Sequence, residues 1–226
     1  MEVCGMSGAA ALLVLADGRF PAGGHAHSGG AEAAVRAGRV RSAADLAEFC
    51  RGRLHTTGLT AAALAAAAAA GQDPLALDEA ADARTPSPAL RRTARRLGRQ
   101  LMRAARATWP GPDLDALAAA RPKGAHQPVV LGLAARSAGL GPLDAAHAAA
   151  YESISSPATA VVRLLSLDPL EATAVLARLA PAADEVARRA GAAARGPVEE
   201  LPAASAPLLE ITAEQHAAWQ VRLFAS

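Results

Sequence analysis

Ser87-Pro88-Ala89-Leu90-Arg91-Arg92-Thr93-Ala94-Arg95-Arg96-Leu97-Gly98-Arg99-Gln100-Leu101-Met102-Arg103-Ala104-Ala105-Arg106-Ala107-Thr108 is the stretch that decides the architecture. At about 100° per residue from Leu90, the positions Ala94, Leu97, Leu101, Ala104, Ala105 and Thr108 fall within about 60° of one direction. Arg91, Arg92, Arg95, Arg96, Arg99, Arg103 and Arg106 fall on the opposite side. An apolar stripe with that period marks a helix lying on a core.

The rest of the chain agrees with this reading. Alanine, the best helix former, fills 64 of 226 positions, while Val, Ile, Thr and aromatic residues are sparse, so strands have little to build on. Ser42 with Asp45 three residues on reads as a capped helix start, and Leu46, Phe49, Cys50 and Leu54 follow at helical spacing. Asp168-Pro169-Leu170-Glu171 is a second start, with a cap, a proline at the first helical position and a carboxylate near the positive end; Val175, Leu176 and Leu179 form its apolar face. Breaks fall at 71–74, 85–88, 110–112, 139–142 and 196–202, none long enough for an interdomain linker. The expectation is an all-α fold, one compact domain over 1–226, built from about eight to eleven short helices.

Composition narrows the function. With 23 basic against 21 acidic side chains the net charge is only +2, so binding phosphate backbones is not the main task, and no nucleic-acid partner is expected. Cys4 and Cys50 are too few for a thiolate zinc site or a disulfide framework and suit a reducing compartment. The alanine run from Ala61 to Ala70 is only mildly apolar and stops well short of the ~20 residues of a membrane span. The N-terminus lacks the basic start and cleavage site of a signal peptide. A cytoplasmic protein without a membrane partner is expected. The arginine stripe from Arg91 to Arg106 has two readings, a solvated face neutralised by acids from elsewhere or a docking face for an acidic partner.

Phe20-Pro21-Ala22-Gly23-Gly24-His25-Ala26-His27-Ser28-Gly29-Gly30 carries four glycines and a proline, a loop with demanding turns or close approach to another surface. Ser28 is placed to cap the helix that follows, with Glu32 in its first turn. The loop has neither the Gly-Lys-Ser/Thr of a phosphate loop nor the glycine spacing of a dinucleotide site. His25 and His27 could chelate one ion from an extended loop, or simply stabilise turns. His55, His126, His147 and His216 are scattered singly and read as structural. No nucleophile elbow, catalytic cysteine or acid/base pair is present in the sequence pattern, which points away from an enzyme, and no cofactor is expected.

Phe20-Pro21-x-Gly23-Gly24-x-Ala26-His27-Ser28-x-Gly30-x-Glu32 resembles the signature of the urease accessory protein UreF family, with His25 in place of a large aromatic and Ala31 in place of leucine. The likeness continues at Ala37-Gly38-Arg39-Val40, at His126-Gln127-Pro128-Val129-Val130-Leu131-Gly132, at Ala160-Val161-Val162-Arg163-Leu164 and at the end, Arg222-Leu223-Phe224-Ala225-Ser226. Glu214-Gln215-His216 departs from the family's Arg-His-Glu-like segment, and residues from Ala61 to Pro88 follow the family only loosely.

The resemblance implies an all-α, homodimeric assembly factor without catalysis of its own. It would bridge UreD (UreH) to the nickel-carrying GTPase UreG, so that nickel reaches apo-urease. The partner-binding residues it implies are Pro21, Gly23, Gly24, His27, Ser28, Gly30, Glu32, Arg163, Arg222, Leu223 and Phe224. Two alternatives stand beside it: a direct nickel-binding metallochaperone using His25 and His27, and a helical enzyme whose site assembles from distant residues.

Overall fold

The computed structural model describes residues 8–224, apart from the side chain of His25. Among them the chain forms eleven α-helices: α1 (Gly8–Ala16), α2 (Ala31–Arg36), α3 (Ala43–Arg53), α4 (Leu59–Ala69), α5 (Pro74–Ala83), α6 (Pro88–Thr108), α7 (Pro112–Ala120), α8 (Gln127–Ser137), α9 (Pro142–Leu165), α10 (Pro169–Ala193) and α11 (Pro207–Ala217). The all-α class holds, although not every helix is short: α6, α9 and α10 run to 21, 24 and 25 residues.

Local chemistry sets the starts. The Ser42 hydroxyl accepts from Asp45 N at 3.2 Å, while Asp45 Oδ2 accepts from Arg41 N at 3.0 Å, so two orphan donors at the head of α3 are satisfied together. Asp168 Oδ1 accepts from Leu170 N at 2.8 Å with Pro169 at the first helical position of α10. Ser87 Oγ caps α6 by accepting from Leu90 N.

The alanine run is the centre of the molecule. In α4 only Ala61 is not buried, and the helix is enclosed by α8, α9 and α10. A helix apolar on every side is stable only inside a core. Small side chains allow the neighbours to come close: a Cβ at Gly132 of α8 would lie 2.2 Å from the Ala65 carbonyl oxygen and 2.6 Å from Ala68 Cβ. That contact explains the glycine at the end of the His126–Gly132 motif.

Helices α3 and α4 are joined without a break by a π-type turn, Leu54–Gly58, a feature the sequence periodicity does not announce. It brings Arg53 against α9 where Pro157 sits inside that helix. Proline has no N–H to give the carbonyl four residues back. Arg53 Nε donates to that Ser153 carbonyl at 2.9 Å, and Arg53 Nη1 donates to Gly29 O at 2.8 Å. One guanidinium thus fills the gap left by a proline and fixes the glycine-rich loop.

Candidate functional site

The loop between α1 and α2 is fastened at several points. Phe20 stacks on Trp109, at the end of α6, with ring centroids 5.6 Å apart. Gly23 has φ +81°, and a Cβ there would sit 1.6 Å from Gln100 Oε1 of α6. Gly30 has φ +88° at the head of α2, with Leu209 of α11 against it. Both positions need glycine. Gly24 does not: its φ is not in the left-handed region and a Cβ there would meet open space, so its presence is not a conformational demand. Gly30, rather than Ser28, holds the capping position of α2, yet the buried Ser28 hydroxyl accepts from Glu32 N at 3.3 Å.

Glu32 is the junction of the site. Its carboxylate is buried and receives Leu223 N on Oε1 at 2.8 Å, Phe224 N on Oε2 at 3.0 Å, and the His216 ring Nε2 on Oε2 at 2.8 Å. Burial by itself raises the pKa of such a group; the hydrogen bonds from Leu223, His216 and Phe224 outweigh it and hold the carboxyl below its ordinary value. Around this point the tail is packed by aromatic contacts. His216 meets Trp219 at 4.6 Å, Arg36 lies 4.2 Å over the Trp219 ring, and Arg163 of α9 lies 4.8 Å over Phe224. The chain after α11 is therefore sewn to the start of α2.

Two cavities flank the loop, of ≈ 190 and ≈ 230 Å³, and share Gly24, His27, Gln127, Glu152 and Ser156 in their walls. Burial raises the Glu152 pKa, opposed by the bond from Gln127 Nε2 at 2.6 Å. His27 is buried. Among the described residues no group of three or more His, Cys, Asp or Glu is gathered as a metal site. The His25 side chain, half of the alternative metal pair, lies outside the described residues.

A second polar cluster explains the His126 motif. Asp78 of α5, fully buried, accepts from His126 N at 2.8 Å, Arg121 Nε at 2.8 Å and Arg95 Nη1 at 3.1 Å. Asp82 pairs with the His126 ring at 2.7 Å and with Arg95 at 2.5 Å. Burial, the largest influence, lowers the His126 pKa in spite of Asp82 beside it. This network fixes α5, α6 and α8 to one another. It also revises the arginine stripe: Arg95 is an internal ion-pair partner, and acids from α5 and α7 reach a face that has none nearby in sequence.

The profile of the UreF family matches residues 40–180, from the turn before α3 into α10. The chain belongs to the UreF family. A urease accessory protein UreF of Mycolicibacterium vanbaalenii is 43% identical over 225 residues, covering 98% of this chain and 100% of that one. Proteins of the same name from Mycobacterium marinum and Mycobacterium tuberculosis are 40% and 41% identical, covering 98% and 93% of this chain and 100% and 95% of their own lengths. UreF proteins are urease accessory proteins, and the similarity to these relatives extends over nearly the full chain.

Placement of the residues singled out in the sequence is mixed. Pro21, Arg163, Arg222 and Leu223 are exposed; Gly23, Gly24 and Gly30 are half-buried; His27, Ser28, Glu32 and Phe224 are buried. The last four shape the loop and tail from within rather than presenting side chains to solvent. The chain end splits: Leu223 is 71% exposed and Phe224 only 4%. Ala225 and Ser226 lie outside the described residues. His216 is structural, as its isolated place in the sequence suggests, and its buried ring holds Glu32, a pairing that no local signal in the sequence announces. No helix among the described residues is long and apolar enough to cross a membrane.

Proposed function

We propose that this protein is a non-catalytic cytoplasmic scaffold of urease maturation, a homodimer that joins UreD (UreH) to the GTPase UreG for delivery of nickel to apo-urease. The observation that carries this reading is the Glu32 junction. It joins two UreF motifs, the Phe20–Glu32 loop and the Arg222–Phe224 tail, with Arg222 and Leu223 exposed in the tail and Pro21 exposed in the loop. An ordered backbone with exposed apolar residues at its rim suits partner contact better than chemistry. The nickel is cargo in this scheme and needs no resident site in the scaffold.

The test is co-purification. Tagged UreG should retain this protein together with UreD better than it retains either one alone, since two surfaces acting jointly share a single ordering cost. Equal retention of UreD by UreG in the presence and absence of this chain overturns the bridging role.

A further inference from the structure

The solvent side of α6 carries Arg92, Arg96, Arg99, Arg103 and Arg106, all exposed, at alternating steps of four and three residues. That rhythm lays the five guanidinium groups in one line along about 21 Å of helix. Arg91 and Arg95 do not belong to the line. Arg91 Nη1 donates to Thr85 O at 2.7 Å and Pro86 O at 2.9 Å, and Arg95 is held by Asp78 and Asp82. The inward pair fixes the helix, and the outward five are exposed on its solvent side.

Internal neutralisation of the five is sparse and confined to the ends. Arg106 pairs with Asp115 of α7 at 2.6 Å. Near Arg92, the Glu214 carboxylate is already engaged by the Ser87 hydroxyl and by Ala89 N at 2.7 Å. In the middle, Arg99 donates to Lys123 O at 2.5 Å, which brings the chain's single lysine to the same side and adds no negative charge. Like charges three and four residues apart repel and weaken a helix, so carboxylates brought from outside at the same spacing are attracted along the whole line.

We propose that this line is a docking strip for an acidic helix of a partner protein, a reading that rests on the scaffold function above. A straight row at helical spacing matches carboxylates on a second helix running alongside it, and guanidinium groups take carboxylates in two-pronged contacts that lysine does not make. The row adjoins the signature loop, because Gln100, one residue from Arg99, is the side chain that packs on Gly23. Nucleic acid fits poorly: the chain is almost neutral overall, and no aromatic residue lies within the helix among the arginines for bases to stack on.

The strip is tested with the full-length protein and a fluorescent helical peptide of about 21 residues whose glutamates follow the same four-three rhythm. An isomer of identical composition has its glutamates spread around the helix. The matched peptide should bind at least about tenfold more tightly than the isomer, and its affinity should fall by about tenfold or more between about 50 and about 500 mM salt. The variant R96E/R99E/R103E should abolish binding, and R96Q/R99Q/R103Q should reduce it, with melting temperature checked for both. Reversal of Arg188 and Arg189, exposed on α10, should leave binding unchanged. Equal binding of the two peptides, retention of binding by the folded glutamate variant, or displacement of the matched peptide by an equally charged single-stranded RNA would overturn the proposal. The assay contains no urease component, so its failure is separate from failure of the bridging test.

Discussion

His216 and Glu32 stand 184 residues apart in the chain and 2.8 Å apart in the fold. The pair is the point where the start of α2 is joined to the segment after α11, because the same carboxylate also holds the backbone of Leu223 and Phe224.

Glu32→Gln keeps the shape and removes the charge. Hydrogen bonds to a charged group are worth about 1.5–3 kcal/mol, so a loss of about 2 kcal/mol is expected, or about 4–8 °C in melting temperature for a chain of this size. Combining it with His216→Ala should cost less than the sum of the two single changes, since they share one interaction. Thermal melts of the four proteins check this.

The same carboxylate sets an acid response. Its folded pKa lies below the ordinary 4.5, so its contribution is fully present above pH 4.5 and is lost as pH falls through the lower folded value. Stability measured by denaturant titration should decline on acidification through that window, and Glu32→Gln should flatten the decline there.

Gly23 and Gly24 should separate. Gly23→Ala forces a side chain into left-handed backbone at a cost of about 1–2 kcal/mol, and the displaced Gln100 disturbs the loop. Gly24→Ala should stay within about 0.5 kcal/mol of the parent protein. Equal effects at both positions would contradict the conformational account of this loop.

Much of this was legible before the fold was known. The caps at Ser42 and Asp168, the breaks at Gly71 and Gly139 and the apolar face of α6 are local signals, each carried by neighbours within one helical turn. The enclosure of α4, the gap at Pro157 filled by Arg53, and the pairing of Glu32 with His216 are not local. They depend on which helices meet, and an alanine run or a lone glutamate says nothing of its neighbours. The arginine stripe shows both sides: its periodicity was visible, but which guanidinium groups turn inward was decided by Asp78 and Asp82 on another helix.

Asp78→Ala leaves Arg95 and Arg121 without their buried carboxylate and should cost about 3–5 kcal/mol. Arg95→Glu should destabilise for the same reason, while Arg96→Glu, on the exposed line, should change stability by about 0.5 kcal/mol or less. Thermal denaturation of the three variants tests the division of the stripe into inward and outward members.

At the chain end, Phe224→Ala should lower the melting temperature, since it removes a buried ring and its contact with Arg163, with about 3 kcal/mol as an upper range near a terminus. Leu223→Ser should leave the melting temperature unchanged and weaken co-purification with UreD. A stable Phe224→Ala protein, or a Leu223→Ser protein that retains UreD fully, would contradict this division of labour.

The scaffold role is tested by the nickel content of urease produced together with UreD and UreG, with and without this protein, measured by elemental analysis of the purified enzyme. Nickel-loaded urease is expected only when this chain is present, with reduced loading when the Glu32→Gln protein takes its place. Equal nickel content in its absence would rule out the scaffold role.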